Sequence, residues 1–140
     1  VFDIKIWLKD ELILIEKDFR NKVNNHDWND YNNHLVLIQC SNNAIIPHWA
    51  YLLISSKLKA NGIKNFIGSE EDYNNYSIIN SIHSIDLNEF KEKSVIVKGC
   101  SNYANKNYYY SLIVDKIQNE VKSLMFGEAC SSVPIFKRKK

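Results

Sequence analysis

One pattern occurs twice in the chain, first as His34-Leu35-Val36-Leu37-Ile38-Gln39-Cys40-Ser41-Asn42 and again as Ser94-Val95-Ile96-Val97-Lys98-Gly99-Cys100-Ser101-Asn102. Each copy is a short, β-branched apolar run that stops at a polar cluster, which is typical of a buried strand. A helical pattern follows each run, so strands and helices alternate from His34 onward. Because parallel strands need long crossover connections, this alternation predicts an α/β fold with a mostly parallel sheet and helices on both faces.

The length and composition fit a single compact domain. The chain has 140 residues, of which 45% are hydrophobic and 24% are charged, enough for a core of its own. Residues 1–33 are predicted to form a lead-in of helix and strand that packs on the domain, and residues 34–140 its α/β core. Within the lead-in, Leu12-Ile13-Leu14-Ile15 is a strand candidate, and Phe19 and Val23 share one face of a helix that begins near Glu16.

Charge and hydropathy exclude two classes of partner. The formal net charge of +2 is too small for a specific nucleic-acid surface, and the basic run Lys137-Arg138-Lys139-Lys140 is interpreted as a solvated tail. No apolar run has the length of a membrane span, and no charged-then-apolar signal segment opens the chain. The expected location is therefore the cytoplasm, with no membrane partner.

The three cysteines provide the candidate site. Cys40 and Cys100 are expected at the carboxyl ends of strands, the edge at which open α/β sheets bind their ligands. Cys130 precedes the last strand-like segment, in a loop that can fold over the same crevice. An odd number of cysteines cannot pair completely within one chain, and a reducing cytosol opposes disulfides. We therefore predict that Cys40, Cys100 and Cys130 converge as thiolate ligands of one metal site.

A closed thiolate site needs a fourth ligand, for which His26, His48 and Glu128 are the candidates. Soft thiolates favour an iron–sulfur cluster or zinc over magnesium or calcium. The chain contains no Cys-x-x-Cys pair, so the usual local signature of such a site is absent from the sequence. The predicted cofactor is an iron–sulfur cluster or zinc.

Two other functions stay open. A sulfurtransferase-like thiol enzyme would carry its cysteine in a strand, loop and helix arrangement of this kind. A thiol phosphatase is excluded, because it needs an arginine six residues after its cysteine, where this chain has Ile46 and Lys106. Alternatively, the cysteines are structural and the chain is a non-enzymatic partner-binding module. No catalytic residue is assigned.

Five segments of the chain carry a family resemblance. They are Glu16-Lys17-Asp18-Phe19-Arg20, Asn25-His26-Asp27-Trp28, Pro47-His48-Trp49-Ala50-Tyr51, Val97-Lys98-Gly99-Cys100 and Lys122-Ser123-Leu124-Met125-Phe126-Gly127-Glu128-Ala129-Cys130-Ser131-Ser132-Val133-Pro134-Ile135, of which the last is the most specific. Together they resemble an uncharacterised bacterial family, domain of unknown function 2480, along nearly the whole chain. That family has no established activity, so the resemblance implies no catalytic residue. It does imply iron–sulfur assembly proteins as partners, because genes of the family often neighbour sulfur-mobilising assembly genes, and it favours a role accessory to cluster assembly or transfer.

Overall fold

The computed structural model describes residues 1–99 and 106–139. The chain divides into two compact units, Val1–Asn74 and Asn75–Lys140, which we call unit 1 and unit 2. Each unit has its own sheet and its own cluster of buried apolar side chains. The predicted site residue Cys100 lies outside the described residues.

Unit 1 is built around a three-stranded parallel sheet with the strand order β1-β2-β3. Its elements are β1 (Phe2–Asp3), α1 (Glu16–Asn25), β2 (Val36–Gln39), α2 (His48–Ala60) and β3 (Asn65–Ile67), and α3 (Glu70–His83) begins near its end. Short 3-10 helices at Ile4–Trp7 and Trp28–Tyr31 connect these elements. In the register, Phe2 pairs with Ile38, and Leu37 pairs with Phe66. Since all three strands run in one direction, their carboxyl ends share one edge of the sheet.

Each helix of unit 1 buries one stripe of side chains spaced four residues apart. In α1 only Phe19 and Val23 are buried, as the sequence predicts. In α2 the buried stripe is Ala50, Ile54 and Leu58. The core that these helices form with the sheet comprises Phe2, Ile4, Leu8, Phe19, Val23, Trp28, Val36, Ile38, Ala50, Ile54, Leu58 and Ile63.

Helix α3 begins with a reciprocal cap. The backbone N–H of Asp72 donates to Oγ of Ser69 at 3.1 Å, and the N–H of Ser69 donates to Oδ2 of Asp72 at 3.0 Å. These two bonds satisfy donors that the first turn of a helix otherwise leaves without partners. Ser69 is therefore the N-cap residue of α3.

Unit 2 contains a second sheet with the strand order β4-β5-β6, in which β4 and β5 are parallel and β6 is antiparallel to β5. After α3 come a 3-10 helix at Leu87–Glu89, β4 (Ser94–Val97), α4 (Asn107–Ile117), β5 (Ser123–Phe126) and β6 (Val133–Lys137). Pro134 lies in the edge strand β6, where its missing N–H is tolerated. One face of the sheet packs through Leu124 against Ile117 and Val121.

The structure confirms an α/β fold and refines its details. Among the described residues, the strands form two small sheets, parallel in unit 1 and mixed in unit 2. A mostly parallel sheet with helices on both faces therefore stays a prediction, as does the division of one domain into a lead-in, 1–33, and a core, 34–140. The strand expected at 12–15 does not form: only Ile13 makes a bridge, with Lys9, before α1 begins. Strand β2 is flanked by β1 and β3, which leaves this run no place beside the central strand.

Candidate functional site

Cys40 directly follows β2 and is half-buried against the core of unit 1. Its Sγ–H donates to Oδ1 of Asn42 at 3.1 Å. Burial, and then the charge that Cys40 carries as a thiolate, raise the pKa of the Tyr51 hydroxyl. A neutral amide oxygen accepts the thiol hydrogen bond without removing the proton, and Tyr51 stays protonated, so neither neighbour acts as a base. Cys40 therefore acts as a hydrogen-bond donor within its own loop.

Cys130 is exposed in the connection between β5 and β6 of unit 2. Two residues before it, Glu128 forms an ion pair with Lys98, in which Nζ lies 3.2 Å from Oε2. The backbone N–H of Ser131 donates to the carbonyl oxygen of Glu128 at 3.0 Å and closes a turn around Cys130. Both charged side chains are mostly exposed, so the ion pair contributes little to the stability of the fold.

The predicted thiolate metal function is wrong. In residues 1–99 and 106–139, no group of three or more histidine, cysteine, aspartate or glutamate side chains is placed to hold a metal ion. The physical reason is that candidate ligands have other neighbours: Cys40 donates to Asn42, and Glu128 pairs with Lys98. The convergence of all three sulfurs is not tested, because Cys100 lies outside the described part of the chain and the other two belong to different units. The structure likewise does not test which cofactor such a site would hold.

The two histidines proposed as a fourth ligand occupy different settings in unit 1. His48 is the exposed first residue of α2. His26 follows α1 and is half-buried, with its ring centroid 4.7 Å from that of Trp28 and its Nε2 3.2 Å from the hydroxyl oxygen of Tyr31. Burial, together with the charge of Asp30, raises the pKa of Tyr31. His26 therefore packs as one more ring of an aromatic cluster.

An apolar groove lies between two loops of unit 1. The first loop is a hairpin in which the backbones of Lys9 and Ile13 exchange two hydrogen bonds, of 2.8 and 3.0 Å. The second loop joins β2 to α2. The groove has a volume of about 470 Å³, and we call it the loop groove. Its lining residues are Leu12, Ile13, Leu14, Glu16, Asn43, Ala44, Ile45, Pro47 and Trp49.

Large aliphatic side chains stand open to solvent around the loop groove. Leu12, Ile13 and Ile45 are 58%, 56% and 91% exposed. Trp49 lines the groove and carries the guanidinium of Arg20 over its ring, 5.2 Å from the centroid. A contiguous exposed apolar surface of this kind is typical of an interaction site.

The side-chain amide of Asn42 holds the two loops together. Its Nδ2–H donates to the carbonyl oxygen of Glu11 in the hairpin at 2.5 Å. Its Oδ1 accepts from the N–H of Ala44 at 3.0 Å and from the Sγ–H of Cys40 at 3.1 Å. One amide thus links the end of β2, the second loop and the hairpin. Cys40, one of the predicted site residues, therefore contacts the amide that holds the loop groove together.

The hairpin turn has an unusual backbone. Asp10 and Glu11 both have positive φ, of 52° and 59°, and the N–H of Leu12 donates to the carbonyl oxygen of Lys9 at 3.0 Å. Two consecutive left-handed residues define a type I′ turn, which normally uses asparagine, aspartate or glycine. Aspartate tolerates this region better than glutamate does. The turn therefore stores strain of the order of 1 kcal/mol or more while it presents Leu12 at the rim of the groove.

Sequence reasoning alone misses the loop groove. Its signal is a pair of apolar runs, Leu12-Ile13-Leu14-Ile15 and Ile45-Ile46-Pro47, each of which ends where a helix begins. Apolar runs are usually buried, but the structure exposes part of each of these two. The contact between Asn42 and Glu11, and the groove that both loops line, show in the structure that the two loops are neighbours.

Comparison with known proteins places the chain in one family. Within the described residues, no helix has the length and apolar character that crossing a bilayer requires. No curated protein and no solved structure matches the chain significantly. The family model described as "Protein of unknown function (DUF2480)" matches residues 1–138, which include both loops of the groove and the most specific motif. Because that match spans nearly the whole sequence, the chain belongs to the DUF2480 family.

Proposed function

We propose that the protein is a non-enzymatic binding module whose loop groove holds a short segment of a partner protein. The observation that carries this proposal is the exposure of Leu12, Ile13 and Ile45 on two loops that the Asn42 amide fastens together. The thiol of Cys40 donates a hydrogen bond to the Asn42 amide that fastens the two loops, which fits a structural role for this cysteine. The iron–sulfur assembly partners implied by the resemblance have no support in this site, and the cytoplasmic location stays a prediction.

The openness of the loop groove favours a protein segment over a small molecule. Small-molecule sites bury most of their ligand's surface, whereas Ile45, on the groove wall, is itself 91% exposed. A protein segment laid across the groove covers its walls as well as its floor. Burial of a leucine or isoleucine side chain contributes about 1.5–3 kcal/mol. The three exposed aliphatic residues are therefore enough to form an energetic centre for binding.

Charge around the groove indicates the chemistry of the partner. Asp10 and Glu11 stand at the exposed tip of the groove's hairpin, and Glu16, which lines the groove, forms an ion pair with Arg20 at 3.0 Å. In a dimer formed through this face, both copies bring the same acidic hairpin tip to the interface, so the charge of the two tips disfavours self-association. A segment with adjacent aliphatic side chains flanked by lysine or arginine complements both the apolar walls and the acidic rim.

Selection from displayed random linear peptides tests this proposal. We expect the wild-type protein to enrich peptides with neighbouring aliphatic residues and a basic residue. Synthetic copies should bind Ile45→Asp at least about tenfold more weakly, because a carboxylate replaces the most exposed apolar wall. Leu52→Asp is the matched control, since Leu52 is 61% exposed on α2 but does not line the groove, and it should leave binding unchanged.

Two results would overturn the proposal. One is a selection in which the wild-type protein enriches no peptide over the Ile45→Asp variant. The other is a dimer in analytical ultracentrifugation that Ile45→Asp dissociates and Leu52→Asp does not, because the occupant of the groove would then be a second copy of the chain.

A further inference from the structure

A smaller cavity lies within unit 2, at the carboxyl ends of β4 and β5. It has a volume of about 260 Å³. Val97 and Phe126, the last residues of these two parallel strands, line one side, and Tyr110, Ile113 and Val114 of α4 line another. The carboxyl edge of parallel strands is where open α/β sheets bind ligands.

The lining of this cavity is apolar, with one side-chain amide. Asn107, in the first turn of α4, contributes that amide, and none of the described residues that line the cavity carries a charged side chain. The ring of Tyr110 packs edge-on against Phe126, with centroids 5.5 Å apart and planes at 89°. Such an edge-to-face pair fixes the position of both rings, so the wall that they form is preorganised.

Contacts next to the cavity hold the ends of the two strands in place. The N–H of Gly127 donates to the carbonyl oxygen of Val97 at 3.0 Å, which continues the pairing of β5 with β4. Beyond it, Lys98 and Glu128 form their ion pair. The positive charge of Lys98, which follows β4, is balanced by the negative charge of Glu128, which follows β5. This ion pair therefore adds no net charge beside the cavity.

We propose that this cavity binds a small neutral molecule, either a single ring or a short branched acyl chain, that carries one hydroxyl, carbonyl or amide group. An apolar cavity of about 150 Å³ is large enough for benzene, so the volume of about 260 Å³ leaves room for a short substituent. A charged ligand is disfavoured, because an apolar lining does not compensate the loss of its hydration. The single polar group pairs with the amide of Asn107. This proposal does not rest on the loop groove.

Titration of the full chain with benzyl alcohol, followed in methyl NMR spectra, tests the proposal. We expect saturable shifts of the methyl signals of Val97, Ile113 and Val114. Val114→Phe fills the cavity and should weaken binding by about tenfold or more. Ile96→Phe is the matched control, because Ile96 is exposed to a similar degree, 37% against 36%, and precedes Val97 in β4, so that it points to the opposite face of the sheet.

The polar contact is tested separately with Asn107→Leu. This variant should bind benzyl alcohol roughly fivefold more weakly and toluene as well as the wild type does, because only the alcohol loses a hydrogen bond. Benzoate should bind the wild type about tenfold more weakly than benzyl alcohol does, because the described side chains that line the cavity include no cation to pair with its charge. If Val114→Phe disturbs the fold, the affinities of Asn107→Leu for benzyl alcohol and for toluene are sufficient to test the proposal.

Three outcomes would refute the proposal: shifts that do not saturate, an equal effect of Val114→Phe and Ile96→Phe, and binding of benzoate as tight as that of benzyl alcohol. The first would show that the cavity takes no such ligand in solution. The second would place the ligand elsewhere, and the third would show that the site selects for charge.

Discussion

The side-chain amide of Asn42 donates to the carbonyl oxygen of Glu11, 31 residues earlier in the chain, at an N···O distance of 2.5 Å. Glu11 is a left-handed residue with a φ of 59°, a conformation that glutamate rarely adopts by itself. Backbone strain of this kind persists only where the surroundings fix it. The hydrogen bond from Asn42 is such a constraint, and it keeps the strained hairpin beside the loop that forms the other wall of the groove.

Replacement of Asn42 by alanine should destabilise unit 1. The variant Asn42→Ala loses the bond to Glu11 and the oxygen that accepts from Cys40 and Ala44. We expect the free energy of unfolding to fall by about 1–3 kcal/mol, because partly buried donors and an acceptor lose their partners. Urea unfolding followed by tryptophan fluorescence measures this loss, since Trp7, Trp28 and Trp49 all lie in unit 1.

The neighbouring residue provides the control for this measurement. Asn43 is exposed in the same loop, so Asn43→Ala should change the free energy of unfolding by less than about 0.5 kcal/mol. Equal unfolding midpoints for Asn42→Ala and the wild type would show that the amide of Asn42 does not hold the two loops together in solution.

Replacement of Glu11 by glycine should stabilise the hairpin. Glycine adopts positive φ without the steric cost of a side chain, which is about 1–2 kcal/mol for an ordinary residue. Glycine also has more conformational freedom in the unfolded chain, and this entropy offsets about 0.5–1 kcal/mol of the stabilisation. We therefore expect Glu11→Gly to raise the free energy of unfolding of unit 1 by about 0.5–1 kcal/mol, again measured by urea unfolding.

Two further variants separate backbone strain from the loss of the Glu11 carboxylate. Glu11→Ala removes the same charge but keeps a Cβ atom, so it should not stabilise the hairpin. Asp10→Gly should gain less than Glu11→Gly, because aspartate is more tolerant of the left-handed region. A gain in Glu11→Ala equal to that in Glu11→Gly would mean that relief of charge repulsion, and not of strain, stabilises the turn.

The elements that the sequence predicts well are those with a local signal. The stripe of Phe19 and Val23 predicts α1, and the run that ends before Cys40 predicts β2. Strand pairing depends on residues far apart in the chain, and strands of two to five residues carry too little pattern to identify their neighbours. The division of the described strands into two sheets therefore became visible only in the structure.

The candidate site shows a different limit of sequence reasoning. The repeated Cys-Ser-Asn pattern correctly places Cys40 at the end of β2, but a thiolate metal centre is the wrong chemistry for it. The residue of this motif that connects distant segments is Asn42. Its amide accepts a hydrogen bond from Cys40 and donates one to Glu11 in the hairpin. The hairpin carries only half of a turn signal, since Asp10 is a usual first central residue of a type I′ turn but Glu11 stands where glycine is normal.

Asp3, at the carboxyl end of β1, links the stability of unit 1 to pH. Its Oδ1 accepts hydrogen bonds from the N–H groups of Ser41 and Lys5, both at 3.1 Å. Burial by itself would raise the pKa of Asp3. The hydrogen bonds from the hydroxyl and N–H of Ser41 and from the N–H of Lys5, together with the Lys5 charge, outweigh burial and lower the pKa below its ordinary value of 3.8.

Replacement of Asp3 by asparagine should flatten the acid limb of the stability curve. Since folding lowers the pKa of Asp3, its carboxylate contributes stability that is fully present above the unfolded pKa of 3.8 and is lost as the pH falls through the lower folded value. Urea unfolding of unit 1 at a series of pH values below about 5 should therefore show a smaller loss of stability for Asp3→Asn than for the wild type. Asp27→Asn is the control for charge removal as such, because Asp27 likewise caps a 3-10 helix of unit 1, through the N–H of Asn29. If Asp3→Asn and the wild type lose stability in parallel over this range, the hydrogen bonds from Ser41 and Lys5 do not favour the charged form of Asp3 in solution.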